Sequence, residues 1–246
     1  MSLSVSEIFY SLQGEGKTIG MPCVFLRLAG CNLMCGGQGT QFDKELYNGA
    51  TWRCDTIEVW MKGKQKTNRE ILEDYAFRNF FKHGRIVITG GEPLLQESAI
   101  AEFIPELYNF IYLSPSPAMA PIIEIETNGT IFPSPCLRGK VDQWNVSPKL
   151  SNSGNAKEVR INIEALKELN TLNTQFKFVV SQKEDLKEIF SYLQWIDINK
   201  VILMPAGESQ KQLSETYPIV AELALQEGIN FSPRLHIDIW NQKTGV

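Results

Sequence analysis

The sequence predicts an α/β fold built around a parallel β-sheet, and three observations support this prediction. Short apolar strands alternate with helical or irregular segments along most of the chain. Several strands, such as residues 86–88 and 201–203, are continuous apolar runs, which is typical of strands buried on both faces. Polar and glycine residues follow the strands rather than precede them, as in barrels whose chemistry lies at the carboxyl ends of the strands. At 246 residues the chain is most economically one domain, because single α/β barrels reach this size.

The first two predicted strands cover residues 5–12 and 23–28, which are rich in apolar and aromatic side chains. Between them, Gln13-Gly14-Glu15-Gly16 forms a loop in which the backbone can approach a ligand closely. A plain turn is the alternative explanation of this loop. Arg27 lies between two leucines in the second strand, so it needs a carboxylate partner. That partner belongs either to the protein, as a structural salt bridge, or to a ligand.

The rest of the chain is predicted to alternate loops, helices and strands. Residues 36–53 are expected to form an irregular insertion, and the polar residues 57–66 a loop. Thr67 and Glu70 fit a capping box that opens a helix running to about residue 81. Further strands are predicted at residues 85–89, 121–126, 143–146, 175–180, 200–204 and 234–237. Further helices are predicted at residues 96–111, 161–169, 183–195 and 209–227, and residues 128–141 are predicted as a loop.

Composition and charge give no support for nucleic acid or a membrane as a partner. The net charge of −4 gives no general reason to expect nucleic acid or an acidic membrane as a partner. The first residues contain neither the basic segment nor the apolar core of a signal peptide. No run approaches the roughly 18–20 apolar residues of a membrane span. We therefore expect a cytoplasmic protein whose thiols stay reduced.

The five cysteines are unevenly distributed, and three of them follow the second predicted strand. An odd number of cysteines in a reducing compartment argues against a disulfide framework. Cys31, Cys35 and Cys54 are therefore interpreted as a metal-binding or catalytic group. Cys23, inside an apolar strand, is interpreted as a small core residue. Cys136 has no motif context and is interpreted as structural.

The cysteine motifs, taken with other strand-end motifs, resemble a known superfamily. The segments Cys31-Asn32-Leu33-Met34-Cys35, Cys54-Asp55-Thr56 and Thr89-Gly90-Gly91-Glu92-Pro93 resemble those of the radical S-adenosylmethionine (SAM) superfamily. Gln13-Gly14-Glu15-Gly16, the strand-end segments 126–129 and 147–149, and the C-terminal residues 235–246 narrow the resemblance to the 7-carboxy-7-deazaguanine synthases. The likeness runs along the chain in order and is thin in the insertions at 36–53, 57–66 and 112–120.

The resemblance implies a fold and a reaction. The family uses an incomplete parallel (β/α)6-type barrel with few or short helices, here a single domain over residues 1–246 with an insertion at about 36–53, generally as a homodimer. Its members convert 6-carboxy-5,6,7,8-tetrahydropterin to 7-carboxy-7-deazaguanine and ammonia in deazapurine biosynthesis. They need a [4Fe–4S] cluster, SAM and Mg²⁺, and an external electron donor of the flavodoxin or ferredoxin type. The cluster has three cysteine ligands, which leaves one iron open for SAM.

The resemblance also implies which residues form the site. The expected cluster ligands are Cys31, Cys35 and Cys54, and the expected Mg²⁺ ligand is Thr56. The expected SAM contacts are Arg53, Asp55, Gly91, Ser147, Pro148, Lys149, Met204, Pro205, Ala206 and Gly207. The expected substrate contacts are Leu12, Gln13, Gly14, Glu15, Arg27, Thr89, His236 and Val246. For His236, a hydrogen-bonded core histidine is the alternative.

The cysteine spacing departs from the common family pattern. Three residues and then two separate successive cysteines in the family, whereas here the numbers are three and eighteen. Either the insertion loops out and returns Cys54 to the cluster, or one cysteine is not a ligand. We favour the first explanation, because the local sequence around Cys54 is kept and each doubling of a loop costs only about 0.6 kcal/mol. Arg53 also stands where many family members have an aromatic residue near SAM; either Trp52 takes that part or no residue does.

Two rival functions explain less of the sequence. A glycyl-radical enzyme activase of the same superfamily shares the cluster and the Gly-Gly-Glu-Pro segment, but it does not explain the segment 13–16, Thr56 or the C-terminal motif. A zinc-stabilised binding module is a candidate from another class, with three cysteines and a histidine as tetrahedral ligands. The chain has two histidines, and the cysteine spacing is not that of a usual zinc finger.

Overall fold

The computed structural model describes residues 2–37, 45–113 and 120–246. It contains a nine-stranded sheet with helices packed on its outer face. The strand order is β3-β1-β2-β4-β5-β6-β7-β8-β9. The strands are β1 (Ser2–Leu12), β2 (Pro22–Leu28), β3 (Lys64–Thr67), β4 (Arg85–Gly90), β5 (Ile122–Thr127), β6 (Gln143–Val146), β7 (Thr174–Val180), β8 (Val201–Pro205) and β9 (Asn230–Phe231). All neighbours from β2 to β9 pair in parallel, and β1 and β3 extend the sheet as antiparallel strands. The predicted parallel α/β fold with an incomplete barrel is confirmed.

Helices follow most of the parallel strands. They are α1 (Ile57–Trp60), α2 (Asn68–Leu72), α3 (Phe77–His83), α4 (Glu97–Tyr112), α5 (Pro135–Arg138), α6 (Lys157–Arg160), α7 (Ile163–Thr171), α8 (Asp185–Tyr192), α9 (Gln210–Glu227) and α10 (Leu235–Trp240). The predicted helices at 96–111, 161–169, 183–195 and 209–227 are confirmed as α4, α7, α8 and α9. Among the helices described, none combines the length and the apolar character needed to cross a membrane.

The loop predicted for residues 57–66 is wrong, because this segment contains α1 and β3. Ile57 and Trp60 are buried, so two apolar anchors one turn apart dock the short helix. Strand β3 pairs with the start of β1 and forms an edge of the sheet. Lysine is common on edge strands because it discourages pairing with other chains. The polar side chains of residues 64–67 show no pattern typical of a strand, although their backbone hydrogen bonds to β1 form one.

The single helix predicted from Thr67 to about residue 81 is two helices, α2 and α3. The predicted capping box is confirmed, since the Thr67 side chain accepts from Glu70 N and the Glu70 carboxylate accepts from Thr67 N. The break lies between them, where Asp74 Oδ1 accepts a hydrogen bond from Ala76 N at 3.1 Å. Such local side-chain bonds compete with the helical backbone pattern.

Two further assignments near the strand ends are wrong. Residues 234–237, predicted as a strand, open helix α10, and the sheet instead ends in the two-residue strand β9. The loop predicted for 128–141 contains α5, which Ser134 caps through its contact with Leu137 N and which Pro135 opens at its first position. A serine followed by proline is a helix-start signal that the sequence did contain.

The two faces of the sheet differ in character. On the outer face, apolar residues from successive strands pack against the helices and form the main core, which includes Leu26, Ile88, Ile125, Phe178 and Leu203. Residues that alternate with them along the same strands point to the interior, and several of these are polar or charged, among them Arg27, Thr89, Glu126, Asn145 and Lys177. Successive residues of a strand point to opposite faces of the sheet. The apolar residues therefore face the helices, and the polar residues face the interior, which is the space inside the curve of the sheet.

The loop between β1 and β2, residues Gln13–Thr18, closes one end of the interior, and we call it the plug loop. Because β1 is antiparallel to β2, this loop lies where the parallel strands begin. Its backbone bonds to groups far along the chain: Gly16 N donates to Ser232 Oγ at 2.7 Å, and Lys17 N donates to Gln175 Oε1 at 2.8 Å. Leu235 N donates to Gly14 O at 2.9 Å. The plug loop therefore links β1 to the segment that follows β9.

The close fit of the plug loop predicts a large effect of Gly16→Ala. Gly16 has a φ of +74°, and a Cβ there would lie 2.2 Å from Gln175 Nε2. Gly228→Ala is the matched control, since Gly228 has a φ of +65° and open space around it. Both variants incur about 1–2 kcal/mol of left-handed backbone strain. We expect Gly16→Ala to lose roughly 1–3 kcal/mol more in urea unfolding, because buried hydrogen bonds of Gln175 are disrupted. Equal losses in the two variants would refute the plug-loop contact.

Candidate functional site

A cavity of about 560 Å³ lies within the curve of the sheet, with the plug loop on one side and the cysteine segments on another. It brings together most of the side chains that the sequence singled out. The expected residues that line it are Leu12, Gln13, Gly14, Glu15, Arg27, Cys31, Cys35, Arg53, Cys54, Asp55, Thr56, Thr89, Gly91, Ser147, Lys149, Met204, His236 and Val246. Four expected SAM contacts lie outside the lining, namely Pro148, Pro205, Ala206 and Gly207. Pro148, Pro205 and Ala206 are buried, and Ala206 packs against Val179, Met204 and Trp52, which line the cavity.

The insertion returns Cys54 to the side of Cys35. Cys54 N donates to Cys35 O at 3.2 Å. The two ends of the insertion are held on the segment after β6, where Gly36 N donates to Ser153 O and Thr51 N donates to Asn152 O, both at 2.9 Å. Residues 38–44 of the predicted insertion lie outside the described residues. The eighteen-residue gap therefore does not separate the last two cysteines in space.

Each of the three sulfurs has a hydrogen-bonding neighbour. The contacts are Leu33 N to Cys31 Sγ, Asn155 Nδ2 to Cys35 Sγ, and Thr56 Oγ1 to Cys54 Sγ, each at 3.4 Å. Burial raises the pKa of the Cys31 thiol to about 11 and that of Cys35 to about 12. Without metal these two sulfurs are therefore protonated at neutral pH. Bound metal cations would reverse this preference, because a coordinating thiol loses its proton.

The Gly-Gly-Glu-Pro segment after β4 supports the cysteine segment. A Cβ on Gly91 would lie 2.2 Å from Gly30 O, so only glycine lets the two backbones approach so closely. Glu92 N donates to Gly30 O at 2.8 Å. The Glu92 side chain is fully buried and accepts hydrogen bonds from Thr127 Oγ1 and Asn128 N. Burial raises the pKa of Glu92 above its ordinary value. Glu92 thus joins the ends of β4 and β5 beneath the cysteines.

A chain of largely buried ion pairs crosses the cavity. Glu15 of the plug loop contacts two cations, with Oε2 at 2.8 Å from Lys177 Nζ and Oε1 at 3.0 Å from Arg234 Nε. Arg234 Nη2 lies 2.6 Å from Asp55 Oδ2, next to the third cysteine. Lys177 also lies 3.6 Å from Glu126 Oε1. The network therefore connects the plug loop, two strands and the segment after Cys54.

These neighbours decide the charge states of the network. Burial alone would raise the pKa of Glu15 and Asp55, but the nearby cations outweigh it and lower both pKa values well below their ordinary range. Burial would lower the pKa of Lys177, but Glu15 and Glu126 outweigh it and raise that pKa. All of these groups are therefore charged at neutral pH.

Sequence reasoning missed Glu126, Lys177 and Arg234 as members of the site. Glu126 lies in a motif that the sequence did single out, yet no role was assigned to its carboxylate. It accepts hydrogen bonds from Thr89 Oγ1 at 2.7 Å and from Gln13 Nε2 at 3.3 Å. A charged residue within an apolar strand needs a buried partner. The position of Lys177 in such a strand was therefore the sequence signal that could have identified it as a member of the site.

Arg27 has a protein partner as well as access to the cavity. Its Nε donates to Glu7 Oε2 at 3.1 Å, and its guanidinium carbon lies 5.8 Å from the centre of the Phe9 ring. Glu7 is on β1, directly opposite Arg27 in the sheet. The structural salt bridge considered for Arg27 is therefore present, and the side chain also lines the cavity.

Other expected site residues have partners of their own. Arg53 forms an ion pair with Glu58 at 2.5 Å. Lys149 Nζ donates to Ser147 Oγ at 2.8 Å and lies 5.7 Å from the centre of the Trp52 ring. Trp52 lines the cavity at the place where an aromatic residue was considered.

His236 lies against the plug loop rather than in the core. A Cβ on Gly14 would lie 2.2 Å from His236 Nδ1, so the glycine makes room for the ring. His236 Nε2 is 3.8 Å from Asp55 Oδ2. A zinc ion bound by three cysteines and a histidine would need these groups around one point. No group of three or more potential ligand side chains able to hold a single metal ion forms within residues 2–37, 45–113 and 120–246.

The ion network predicts that Arg234→Met destabilises the fold in a pH-dependent way. At neutral pH the loss should be about 3 kcal/mol, the low end for a buried pair, since two partly buried carboxylates lose a partner and Glu15 keeps Lys177. The folded pKa values of Glu15 and Asp55 are depressed, so their stabilisation is present above the ordinary values of 4.5 and 3.8 and is lost at lower pH. In urea unfolding the gap to the wild type should therefore narrow in acid.

Arg69→Met is the control for this experiment, because Arg69 forms an exposed ion pair with Glu73. We expect it to lose less than about 1 kcal/mol. Wild-type stability of Arg234→Met at neutral pH would contradict the assignment.

The relatives found by comparison with known proteins share one name. No family model matches the chain. The chain is 32% identical to the 7-carboxy-7-deazaguanine synthase of Halobacterium salinarum, over 98% of this chain and 91% of that protein. It is 34% identical to the protein of the same name from Pyrobaculum aerophilum, over 98% and 96%. The crystal structure of QueE from Escherichia coli shares the fold, with a TM-score of 0.66 at 22% identity, covering 96% of this chain and 95% of that one. The chain therefore belongs to the 7-carboxy-7-deazaguanine synthase family, a family of radical SAM lyases.

Proposed function

We propose that this chain converts 6-carboxy-5,6,7,8-tetrahydropterin to 7-carboxy-7-deazaguanine and ammonia. One observation carries the proposal: a single cavity contains the three motif cysteines together with a dense set of buried hydrogen-bonding and charged groups. Relatives with the corresponding name match nearly the whole chain. The glycyl-radical activase and the zinc module do not share this support.

Family membership implies a [4Fe–4S] cluster and SAM, and the residues present fit both. Cys31, Cys35 and Cys54 would hold the cluster, since all three are free thiols on the cavity wall. Three protein ligands leave one iron open for SAM. When bound, the cluster and SAM supply reductive cleavage of SAM and the radical that abstracts hydrogen from the substrate. Buried apolar residues on the cavity wall, such as Phe25 and Val179, would keep water away from this chemistry.

SAM would lie between the cysteines and the ends of β6 and β8. Gly91, Ser147, Lys149 and Met204 line this part of the cavity and are proposed as direct contacts. Arg53 and Asp55 are proposed nearby, each already held by an ion pair. Pro148, Pro205, Ala206 and Gly207 would act from behind the wall. Trp52 offers its ring beside Lys149.

The pterin would lie between the plug loop and β5. Its amidine-like edge needs acceptors and donors, and the carboxylates of Glu15 and Glu126 with the Gln13 amide provide both. Lys177 and Arg234 hold the Glu15 carboxylate ionised and in place, so little reorganisation is needed on binding. Leu12, Gly14, Thr89, His236 and Val246 complete the proposed substrate contacts.

Two groups would bind the substrate carboxylate. Arg27 is proposed to pair with it, while Glu7 holds the guanidinium in position. Thr56 is proposed as a Mg²⁺ ligand, since a hard cation accepts a hydroxyl, a carboxylate and waters together. The Thr56 side chain makes no capping bond to α1, and its contact with Cys54 Sγ at 3.4 Å leaves an oxygen lone pair for this role.

The proposal extends to partners and organisation. An external one-electron donor of the flavodoxin or ferredoxin type would reduce the cluster, and the chain would act as a homodimer. Free thiols favour a reducing compartment such as the cytoplasm. One sheet takes strands from residues 2 to 231, which supports a single domain.

The direct test uses protein reconstituted with iron and sulfide without oxygen, then reduced and mixed with SAM and the carboxytetrahydropterin. We expect brown protein, 5′-deoxyadenosine and 7-carboxy-7-deazaguanine, identified by mass spectrometry. Release of 5′-deoxyadenosine without the deazaguanine would refute the substrate assignment. Colourless protein that binds one zinc would refute the cluster.

Arg27→Ala should raise KM strongly, because loss of a charge-assisted pair with a buried carboxylate costs roughly 2–5 kcal/mol. Glu7→Gln is the matched variant, because it removes the protein partner and leaves the guanidinium free for substrate. We expect Glu7→Gln to change KM much less. If both variants lose stability equally and leave KM unchanged, Arg27 is structural.

Thr56→Val should raise the Mg²⁺ concentration required for half-maximal activity by at least about tenfold, since it removes one oxygen ligand and keeps the side-chain shape. Thr56→Ser keeps the hydroxyl and should stay near the wild type. Iron content should be equal in both variants. A Mg²⁺ dependence unchanged in Thr56→Val would remove Thr56 from the metal site.

A further inference from the structure

We propose that Asn155 is a positioning residue that seats Cys35 and makes the bound cluster easier to reduce. This inference rests on the proposed function, because it needs the cluster that Cys35 would help to hold. Asn155 lies in the loop between β6 and α6, outside the sequence motifs described above and outside the cavity lining.

A single amide holds both the backbone and the sulfur of the cysteine segment. Asn155 Oδ1 accepts from Met34 N at 3.1 Å, and Asn155 Nδ2 donates to Cys35 Sγ at 3.4 Å. The orientation of the amide follows from this pair of contacts, because the Met34 N–H can only donate and so faces the carbonyl oxygen. The NH₂ group is then left to face the sulfur and the neighbouring Ser153 oxygens.

Asn155 is itself held by the core. Its backbone oxygen accepts from Arg160 Nε at 3.1 Å. Arg160 is buried, donates to Tyr192 Oη at 3.1 Å and forms an ion pair with Glu188 at 2.5 Å. Tyr192 and Glu188 belong to α8, which packs on β7. The amide is therefore fixed relative to the sheet, as a supporting residue behind a ligand must be.

A donor aimed at a cluster sulfur favours the reduced state. Reduction adds negative charge that the sulfurs share, so an N–H group pointing at one of them stabilises the reduced cluster more than the oxidised one. Cys35 is the most buried of the three motif cysteines, with 6% of its surface exposed. Water screens this hydrogen bond little, and the contact is correspondingly stronger.

Asn155 is also the donor that mutation can test most cleanly. The donor to Cys31 is a backbone amide, which substitution does not remove. The neighbour of Cys54 is Thr56, which has a separate proposed role. Asn155→Leu removes the donor at similar size. Asn155→Asp keeps the acceptor for Met34 N but places a negative charge beside the sulfur.

The experiment is a potentiometric titration of the reconstituted cluster, followed by electron paramagnetic resonance, with iron content measured on each sample. We expect more negative midpoint potentials in both variants, furthest for Asn155→Asp. Each tenfold loss in preference for the reduced state corresponds to about 59 mV. Asn199→Asp is the matched control, since it makes the same charge change at an exposed turn before β8, at the opposite end of the strands. Its midpoint should equal that of the wild type.

The outcomes separate this inference from the proposed function. Wild-type iron content together with wild-type midpoints in both Asn155 variants would overturn it. Loss of iron at an unchanged unfolding temperature would support the seating role. If both variants lose the fold, Asn155→Ala removes the amide without added bulk or charge, and its midpoint should lie below that of the wild type; an unchanged midpoint there again overturns the inference. A wild-type chain that assembles no cluster would count against the proposed function itself.

Discussion

The buried ion pairs across the interior are the interaction on which the rest of the structure depends. Glu15, Lys177, Arg234 and Asp55 come from four distant parts of the chain. Removing such charges from water costs several kcal/mol per ion, so an arrangement that separates them is strongly disfavoured. We interpret the network chiefly as a device that fixes the loops relative to one another. A cavity wall that is both charged and well ordered follows from it.

The cysteine side of the cavity is built differently. Backbone hydrogen bonds and a close glycine contact shape it, as between Cys54 and Cys35 and between Gly91 and Gly30. Such contacts depend little on the length of the chain between them. This explains how an insertion of eighteen residues is accommodated without moving the last cysteine away. The charged side and the cysteine side meet at Asp55, which follows Cys54 directly and binds Arg234.

The sequence predicted the sheet and many residues of the cavity wall well, but it predicted the contacts between interior side chains poorly, for physical reasons. Continuous apolar runs, such as residues 86–88 and 201–203, indicate buried strands, so the positions of these strands could be predicted from the sequence. Helix α10 was predicted as a strand because its apolar and polar residues alternate over only a few positions. So short a pattern does not distinguish the two-residue period of a strand from the 3.6-residue period of a helix. The charges at Glu126 and Lys177 were missed because their partners come from other strands and loops. The return of Cys54 was predicted from the local sequence of Cys54-Asp55-Thr56, whereas the contacts with the segment after β6 that hold the insertion were not predicted.

The plug loop has a consequence for the order in which the chain acquires its structure. Gly16 and Ser232 are 216 residues apart in sequence, and Glu15 and Arg234 are 219 apart. Contacts between such distant residues form slowly, because a large loss of chain entropy precedes them. During synthesis the early strands can pair while the C-terminal segment is still absent. The plug-loop side of the cavity is then completed only when Ser232 and Arg234 arrive, so an incomplete chain lacks the contacts that hold this wall.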